Sequence, residues 1–488
     1  MCKFKKKADR YTDCKKKMRK ENIYNLLEKN LGYIPTSDQS DCMRLLAEFI
    51  VANSNDVIFL LTGYAGTGKT SIIASLVSTL TTLRQKSVLL APTGRAAKVL
   101  RSYSGQEAYT IHRKIYRQKS ATDGVGKFVL DRNLHKDTYF IVDESSMIPD
   151  ESSEGSMFGS GRLLEDLLEY VYTGRDCKLI LVGDMAQLPP VGSIVSPALD
   201  ENVLRATGFA LETFELRQVI RQSEGSGILM NATAVRRQVN DGDLSVPELV
   251  LQPYDDIERL NGNDLIDRLS ESYDRCGTDG AIVVVNSNNL ANRYNQGIRN
   301  RVFYREEEIS TGDIVMVVKN NYYWLRDEEE GSFIANGDIA EVRRIKKFEE
   351  MHGMRFGEMT LWFRDAELEI DAKVMLDTLT LPTPSLSAEK SRELYFSVLA
   401  DHPGIRSKRK QYEAVRDDPY YNALQIKFAY AVTCHKSQGG QWERVFIDQG
   451  MFSRQEPTMD YLRWFYTALT RATEKVYLVN FPESYFRQ

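Results

Sequence analysis

The chain has 488 residues, of which 42% are hydrophobic and 27% charged, and its formal net charge at pH 7 is −4. This composition is typical of a soluble globular protein, and the length allows about three or four domains. No apolar run approaches the roughly 20 residues of a transmembrane helix, and the lysine-rich start lacks the core of a signal peptide. The six cysteines form no C-x-x-C pair and have no histidine at zinc spacing. We therefore expect a cytoplasmic protein in a reducing setting, with no membrane segment.

The slight acidity of the whole chain does not exclude a nucleic-acid partner, because charge acts locally. Basic residues crowd positions 3–20, and a second group of arginines and lysines lies between positions 95 and 117. Runs of this kind are most often solvated surface. A protein that moves along a nucleic-acid strand can nevertheless carry an acidic exterior around a basic groove.

The first motif along the chain is GYAGTGKT at residues 63–70, directly after the apolar run 57–61. It matches the phosphate-binding pattern G-x-x-x-x-G-K-[ST] completely. Glycines let backbone N–H groups close around phosphate oxygens, and the following helix directs its positive end at the same anion. Lys69 would reach the β- and γ-phosphates, and the Thr70 hydroxyl would join the Mg²⁺ shell. We expect a nucleoside triphosphate to bind here through Gly63, Ala65, Gly66, Thr67, Gly68, Lys69, Thr70 and Ser71.

Four apolar runs alternate with helical patterns in the first half, which predicts a buried parallel sheet; they span 57–63, 87–93, 139–145 and 178–184. Open α/β sheets bind ligands at the carboxyl ends of their strands. At the end of the third run, Asp143 can hold Mg²⁺ and Glu144 can polarise an attacking water. Gln187 follows the fourth run, within reach of a γ-phosphate.

A second α/β region begins near residue 211 and contains strand patterns at 281–289, 427–448 and 475–481. Residues 310–424 instead show β-type alternation with Asn-Gly and Gly-Asp turns, which predicts a small all-β insertion. Residues 113–137 predict a shorter β-hairpin insertion in the first half. The expected organisation is an N-terminal extension over 1–35, a first α/β domain over 36–210, a second over 211–309 and 425–488, and the all-β insertion over 310–424.

In this order the motifs resemble those of superfamily 1 helicases, and most of all the 5′→3′ branch that contains the phage Dda helicase and the RecD-like helicases. The signature of the Pif family is not evident. The resemblance covers roughly residues 36–481 and rests on the strings SDQSDCMRLLAEFI, APTGRAAKVL, TIHRKIY, DESSM, GDMAQLPPVG, LRQVIRQ, NGDIAEV, VTCHKSQGGQWERVFI and FYTALTRATEKVYLV. It implies two RecA-like P-loop motor domains. The hairpin would be a strand-separating pin, and the all-β insertion would be an SH3-like domain.

The resemblance also implies roles for single residues. Gln39 stands where the family has its adenine-reading glutamine, and Arg221 and Arg471 stand at the two arginine fingers, which stabilise charge on the γ-phosphate. Contacts to single-stranded DNA are implied for Thr93, Gly94, Arg95, His112, Thr433 and His435. The aromatic residues Tyr116, Tyr322, Tyr323 and Trp324 can stack on bases or pack internally, and the sequence does not decide between these uses.

The function that the resemblance implies is an ATP-dependent DNA helicase that translocates 5′→3′ on single-stranded DNA. ATP and Mg²⁺ would bind between the two α/β domains, and the partners would be single strands and duplex junctions. A monomer is the working assumption, with replication or repair proteins as candidate partners; DNA repair and DNA recombination are both open as pathways. Two alternatives remain: an RNA helicase or remodeller on the same motor, and a RecD-like DNA-binding subunit of a recombination complex.

Overall fold

The computed structural model describes residues 19–52, 56–118, 128–150, 159–219, 225–325, 333–450 and 456–486. The chain divides into two compact units, with the boundary after Glu224. Two short segments from the first half, Thr93–Arg95 and Gln118–Val129, are grouped with the second unit. None of the helices in the described ranges combines the length and the apolar composition that a membrane crossing requires.

The first unit is an α/β layer structure around one six-stranded sheet. Its helices are α1 (residues 19–31), α2 (Ser37–Val51), α3 (Lys69–Thr82), α4 (Gly94–Ser104), α5 (Ile111–Ile115), α6 (Leu163–Thr173) and α7 (Glu201–Ala206). Its sheet strands are β1 (Val57–Gly63), β2 (Lys86–Ala91), β3 (Ala108–Thr110), β6 (Thr138–Val142), β7 (Lys178–Gly183) and β8 (Ala210–Leu216). The strand order is β3-β2-β6-β7-β1-β8, and the pairs are parallel.

The four strands expected in the first half are all present. The strands β1, β6 and β7 are buried along their whole length, as a parallel sheet covered on both faces requires. The sheet also contains β8, which pairs with β1 from Val57↔Ala210 to Gly63↔Leu216. The first unit therefore extends beyond residue 210, where the sequence suggested its end.

Residues 19–31 are not separate from this unit. Ile23, Leu27 and Leu31 recur every four residues on α1 and are buried in the main core cluster of the first unit. Two hydrogen bonds fix the helix further: Ser75 Oγ donates to the Leu27 carbonyl at 2.5 Å, and Asn30 Nδ2 donates to Thr79 Oγ1 at 2.9 Å. Part of the N-terminal extension thus packs against α3. Residues 1–18 lie outside the described residues.

The second unit contains a five-stranded parallel sheet. Its strands are β9 (Ile257–Leu260), β10 (Ala281–Val285), β16 (Ala431–Thr433), β17 (Trp442–Asp448) and β18 (Ala472–Val479). Their order in the sheet is β16-β10-β17-β18-β9. Its helices are α8 (Gly227–Asp241), α9 (Leu265–Gly280), α10 (Asn288–Arg301), α11 (Ala388–Ala400), α12 (Lys408–Arg416), α13 (Cys434–Ser437) and α14 (Met459–Leu469). Both sheets are parallel throughout their paired strands.

A closed barrel interrupts the second sheet, in the region where the sequence predicted an insertion. Its strands are β11 (Ile314–Val317), β12 (Ile339–Met351), β13 (Met354–Phe363), β14 (Leu368–Met375) and β15 (Leu424–Phe428). The expectation of an all-β insertion was wrong, because α11 and α12 lie between β14 and β15. Leu394 and Val398 on α11 and Val415 on α12 are buried in one cluster with Phe356 and Met375 of the barrel. The helices form because these apolar residues follow a helical period.

A buried carboxylate joins the barrel to the parallel sheet within this unit. Asp313 directly precedes β11 and is fully buried. Its oxygens accept from Arg299 Nε on α10 at 3.1 Å and from Arg305 Nη1 at 2.7 Å. The Ser310 amide and the Tyr430 hydroxyl also donate to it, at 2.7 and 3.1 Å. A buried charge of this kind is tolerated only when it is paired and fully hydrogen-bonded, as it is here.

The predicted hairpin corresponds to β4 (Tyr116–Gln118) and β5 (Phe128–Leu130), which form a two-stranded sheet. Residues 119–127, which would include its tip, lie outside the described residues. The structure therefore gives the base of the hairpin and leaves its role as a pin a prediction.

Candidate nucleotide-binding and nucleic-acid-binding sites

The phosphate loop connects the buried strand β1 to α3. Gly66 and Gly68 have φ values of 78° and 86°, and Gly68 is the N-cap of α3. Glycine adopts this left-handed conformation at little cost. A Cβ at Gly63 would lie 2.9 Å from Leu216 Cβ on β8, so this position also excludes any larger side chain. The first turn of α3 has backbone N–H groups without helical acceptors, which suits an anion.

Side chains of the loop hold its conformation. Lys69 Nζ donates to the carbonyls of Gly63 at 2.7 Å and Tyr64 at 3.0 Å. Thr67 Oγ1 donates to the same Tyr64 carbonyl at 2.8 Å. The ammonium group therefore lies over the loop, and the Thr70 side chain is exposed in the first turn of α3.

Three neighbouring strands bring the predicted catalytic residues to one edge of the sheet. Thr62 on β1 is paired with Gly183 on β7, and Val142 on β6 is paired with Leu181 on β7. The carboxyl ends of these strands, and the segments that follow them, therefore lie side by side. This edge carries the phosphate loop, the Asp143–Glu144 pair and the segment with Gln187, as the sequence predicted.

Asp143 is held at both carboxylate oxygens. The Tyr103 hydroxyl donates to Oδ2 at 2.5 Å, and the Glu144 amide donates to Oδ1 at 2.9 Å. Burial raises the pKa of Asp143, and these two hydrogen bonds and the charge of Lys69 oppose that rise. Burial, the neighbouring Asp143 and its hydrogen bond raise the pKa of Tyr103 far above the ordinary value, so its hydroxyl is the donor. The charge of Lys69 is thus close enough to act on Asp143.

Glu144 has an unusual backbone conformation. Its φ of 51° and ψ of 37° lie in the left-handed region, which costs a non-glycine residue about 1–2 kcal/mol. Such conformations cluster at functional sites, where the surrounding structure enforces them. The strained backbone of Glu144 is consistent with a functional residue whose side chain must point in one particular direction.

Gln187 is 5% exposed, and its Oε1 is a buried oxygen that has no hydrogen-bond partner among the described residues. Its backbone N–H donates to the Asp184 carbonyl at 3.3 Å, and Asp184 also accepts from the Ala186 amide at 2.9 Å. These bonds fix the turn after β7. An orphaned buried acceptor is costly in a folded protein, so a group that donates a hydrogen bond to it, such as a water, would relieve the cost.

Gln39 is fully buried, and its amide is used within the first unit. Its Nε2 donates to the Thr67 carbonyl in the phosphate loop at 3.2 Å and to the Tyr33 hydroxyl at 3.2 Å. Its Oε1 accepts from the Thr36 amide at 3.1 Å and completes a capping box at the start of α2. Both amide hydrogens are therefore donated to protein acceptors, and Gln39 links α2 to the phosphate loop.

Of the two predicted arginine fingers, Arg221 lies outside the described residues. Arg471 is in the second unit and is 4% exposed. Its guanidinium donates to the carbonyls of Thr467 at 3.0 Å and Gly440 at 3.3 Å and to Thr470 Oγ1 at 3.1 Å. These contacts join the carboxyl end of α14 to the loop before β17. The last two motifs of the sequence, one with Gly440 and the other with Arg471 itself, therefore meet at the Arg471 side chain.

The predicted DNA contacts of the first half lie at two helix starts. Thr93 directly precedes α4, and Gly94 is its first residue. The guanidinium carbon of Arg95 lies 4.0 Å from the centroid of the Trp442 ring, which belongs to the same second unit. On α5, burial lowers the pKa of His112 to about 4, although Asp166 opposes the shift. His112 is therefore neutral at pH 7 and can act through a neutral hydrogen bond but not through charge.

The predicted DNA contacts of the second unit lie around α13. Thr433 is the last residue of β16 and the N-cap of α13, without a hydrogen bond from its side chain to the helix. Burial lowers the pKa of His435, so this ring is also neutral at pH 7. The neighbouring Lys436 has its pKa lowered to about 8 by burial and by the charge of Lys427. A lysine with this pKa is still mostly charged at pH 7.

The four aromatic residues whose use the sequence left open make internal contacts. The Tyr116 hydroxyl donates to Asp166 Oδ2 at 2.6 Å. The Tyr322 ring stacks on Phe333 with centroids 5.0 Å apart, and Tyr323 meets Trp324 edge-on at 4.9 Å. Packing thus accounts for part of the surface of each ring.

The first unit fits Mg²⁺-bound nucleotide by three observations. Gly63 leaves no room for a Cβ, and Gly66 and Gly68 have left-handed backbone conformations that favour glycine. Asp143 offers a carboxylate, the kind of ligand that Mg²⁺ takes in nucleotide sites. Gln187 offers a buried oxygen that has no hydrogen-bond partner within the described part of the chain. Sequence analysis missed Tyr103, because a tyrosine near the end of an amphipathic helix carries no motif that marks it as a neighbour of Asp143.

Comparison with known proteins gives two family matches. A model described as an AAA domain matches residues 38–264, and a model described as a UvrD-like helicase C-terminal domain matches residues 428–479. The first contains the phosphate loop, Asp143, Glu144 and Gln187. The second contains Arg471.

Two of the curated relatives that resemble this chain are named as DNA helicases. The ATP-dependent RecD2 DNA helicase of Deinococcus radiodurans is 33% identical over 36% of this chain and 21% of its own length. DNA helicase B of Mus musculus is 24% identical over 80% of this chain and 36% of its own length. This chain therefore spans well under half of either relative. Among solved structures, Pif1 helicase from Bacteroides in complex with ADP-AlF3 and single-stranded DNA covers 92% of each chain at 16% identity, with a TM-score of 0.47. By its two family matches, the chain contains an AAA domain and a UvrD-like helicase C-terminal domain.

Proposed function

We propose that this protein is an ATP-dependent DNA helicase that translocates 5′→3′ on single-stranded DNA and unwinds duplexes. One observation carries the proposal: one sheet edge of the first unit brings the complete phosphate loop together with Asp143, Glu144 and the Gln187 oxygen, for which the described residues offer no hydrogen-bond partner. A binding protein for nucleotide alone would have no need of the last three residues. The match to a UvrD-like helicase C-terminal domain and the likeness to the RecD2 DNA helicase support DNA as the substrate on which the hydrolysis energy is used.

In this proposal each residue has one task. The backbone of the phosphate loop and Lys69 bind the β- and γ-phosphates, and Thr70 and Asp143 hold Mg²⁺, which neutralises charge that develops on the phosphate oxygens. Glu144 accepts a proton from the attacking water, and Gln187 orients that water. Arg221 and Arg471 supply positive charge to the transition state. Gln39 supports the phosphate loop and can accept a hydrogen bond from adenine through its Oε1.

The proposed DNA contacts are Thr93, Gly94, Arg95, His112, Thr433 and His435. Hydroxyl groups, neutral imidazoles and backbone N–H groups at helix starts bind phosphates without reading bases, so we expect little sequence preference. We also propose that the barrel is the SH3-like insertion of the family and that the hairpin of β4 and β5 separates strands at duplex junctions. Domain closure on ATP and opening after hydrolysis would drive movement.

The direct test is ATP hydrolysis with and without single-stranded DNA. We expect the wild-type protein to be stimulated by DNA and Lys69→Ala to fall to background in both conditions, because the lysine stabilises the transferred phosphoryl group. Lys86→Ala is the control, since Lys86 is an exposed lysine at the start of β2. Unchanged hydrolysis in Lys69→Ala would show that the phosphate loop is not the site of hydrolysis. A matched RNA strand in the same assay tests the RNA alternative.

A further inference from the structure

We propose that Tyr103 is a positioning residue that fixes the carboxylate of Asp143 and ties its orientation to α4, the helix that begins at the Thr93–Arg95 turn. Through α4 and this hydrogen bond, DNA bound at the start of the helix would change the orientation of the metal-binding carboxylate. The inference rests on the proposed function, because it assigns nucleotide to the phosphate loop and DNA to that turn.

The contact is specific to the hydroxyl group of Tyr103. The oxygen donates to Asp143 Oδ2 at 2.5 Å, while Oδ1 accepts from the Glu144 amide at 2.9 Å. A hydroxyl that donates to a carboxylate in this way forms a charge-assisted bond whenever the carboxylate is ionised. The two donors hold different oxygens, so together they fix the rotation of the carboxylate. The ring of Tyr103 packs against the main core of the first unit, which keeps the hydroxyl in place.

The helix supplies the link to the turn. Tyr103 lies nine residues after Gly94 on α4, which is a distance of about 14 Å along the helix at 1.5 Å per residue. Because α4 is one continuous helix from Gly94 to Ser104, we expect a displacement at its start to be transmitted to Tyr103. Hydrogen bonds weaken steeply when their length or angle changes, and the orientation of Asp143 would therefore change with the position of α4.

Groups that hydrogen-bond to a metal-binding carboxylate affect metal affinity without touching the metal. Loss of such a partner typically weakens metal binding about 10–100-fold. Tyr103→Phe removes the hydroxyl and leaves the ring that packs against the core. We therefore expect Tyr103→Phe to need about tenfold more Mg²⁺ than wild type for half-maximal tight binding of nucleotide.

The first measurement is binding of a fluorescent, non-hydrolysable ATP analogue over a range of Mg²⁺ concentrations. Binding without Mg²⁺ should be equal in wild type and Tyr103→Phe, because the phosphate loop is unchanged. Tyr172→Phe is the matched control: its hydroxyl donates to the Val57 carbonyl at 2.9 Å in the same unit, away from Asp143. We expect this control to have the Mg²⁺ dependence of wild type. An equal Mg²⁺ requirement in Tyr103→Phe and wild type would overturn the inference.

The second measurement tests the tie to α4. We expect single-stranded DNA to bind Tyr103→Phe as tightly as wild type, but to stimulate its ATP hydrolysis about tenfold less. If DNA stimulated ATP hydrolysis by Tyr103→Phe as much as by wild type while the Mg²⁺ requirement was raised, the coupling to α4 would be refuted. Only the role of Tyr103 in positioning Asp143 would then stand. Urea unfolding of both tyrosine variants checks that they fold alike. If Lys69→Ala retained the hydrolysis of wild type, the proposed function itself would fail, whatever Tyr103→Phe shows.

Discussion

Replacement of Gln39 by alanine should destabilise the first unit and weaken the binding of all nucleoside triphosphates to a similar degree. The buried amide makes three hydrogen bonds, to the Thr36 amide, the Tyr33 hydroxyl and the Thr67 carbonyl. Each contributes about 0.5–1.5 kcal/mol net, and the variant leaves partners unsatisfied in a buried position. We therefore expect the free energy of unfolding to fall by about 2–4 kcal/mol.

Both amide hydrogens of Gln39 are donated to the protein, so only Oε1 has capacity for a hydrogen bond from a base. At about 0.5–1.5 kcal/mol for one hydrogen bond, the ratio of ATP to GTP affinity should therefore change by less than about tenfold. The assay combines urea unfolding, followed by circular dichroism, with competition of ATP and GTP against a fluorescent analogue. The control is Gln106→Ala, whose amide bonds to Thr81 and Ser87 near the surface of the same unit.

A normal urea midpoint in Gln39→Ala, together with a loss of ATP preference over GTP of tenfold or more, would refute this reasoning. It would mean that the amide turns away from Thr67 and reads adenine when nucleotide binds. Gln106→Ala should lose less than about 1 kcal/mol, because exposed hydrogen bonds are largely replaced by water.

Three further predictions concern other buried groups. Asp313→Ala leaves the guanidinium of Arg299, 4% exposed, without its carboxylate, and should cost about 3–5 kcal/mol in urea unfolding of the second unit; a loss below 1 kcal/mol would contradict this. For His112, burial lowers the pKa from 6.5 to about 4, so the unfolded chain binds more protons between these pH values. Stability should therefore fall as the pH drops through this window, and His112→Asn should make that fall smaller in urea unfolding at pH 7, 5 and 4. Arg471→Lys should reduce kcat for ATP hydrolysis about 100-fold or more with nearly unchanged nucleotide Kd, as expected for an arginine that contacts the transition state; an equal loss in both would indicate a structural role.

The main features of the fold could be predicted because they depend on local pattern. The runs that became β1, β6 and β7 are continuously apolar, and only a parallel sheet covered on both faces buries such strands completely. The helices α11 and α12 were missed because the strand pattern and turns of residues 310–375 dominated the interpretation of the whole insertion. The strand β8 was assigned to the wrong side of the boundary, because its partner β1 lies some 150 residues earlier and no local signal indicates that pairing.

The candidate site likewise contains residues that local motifs predict and contacts that only tertiary packing reveals. The phosphate loop, Asp143 and Glu144 carry motifs, and the sheet brings them to one edge as expected. The bond from Tyr103 to Asp143 spans 40 residues and depends on how α4 packs, which a single sequence does not reveal. The capping box formed by Thr36 and Gln39 follows a known local pattern, whereas the bond from Gln39 to Thr67 depends on how α2 docks against the phosphate loop.

Unwinding of tailed duplexes tests the central proposal most directly. The protein is mixed with ATP, Mg²⁺ and a DNA duplex that carries a single-stranded tail at either the 5′ or the 3′ end, with Lys69→Ala as the control. We predict ATP-dependent strand separation of the 5′-tailed duplex by the wild-type protein and none by Lys69→Ala. Unwinding of the 3′-tailed duplex alone would contradict the proposed polarity, and equal strand separation by Lys69→Ala would contradict the proposal that ATP at this phosphate loop drives the protein.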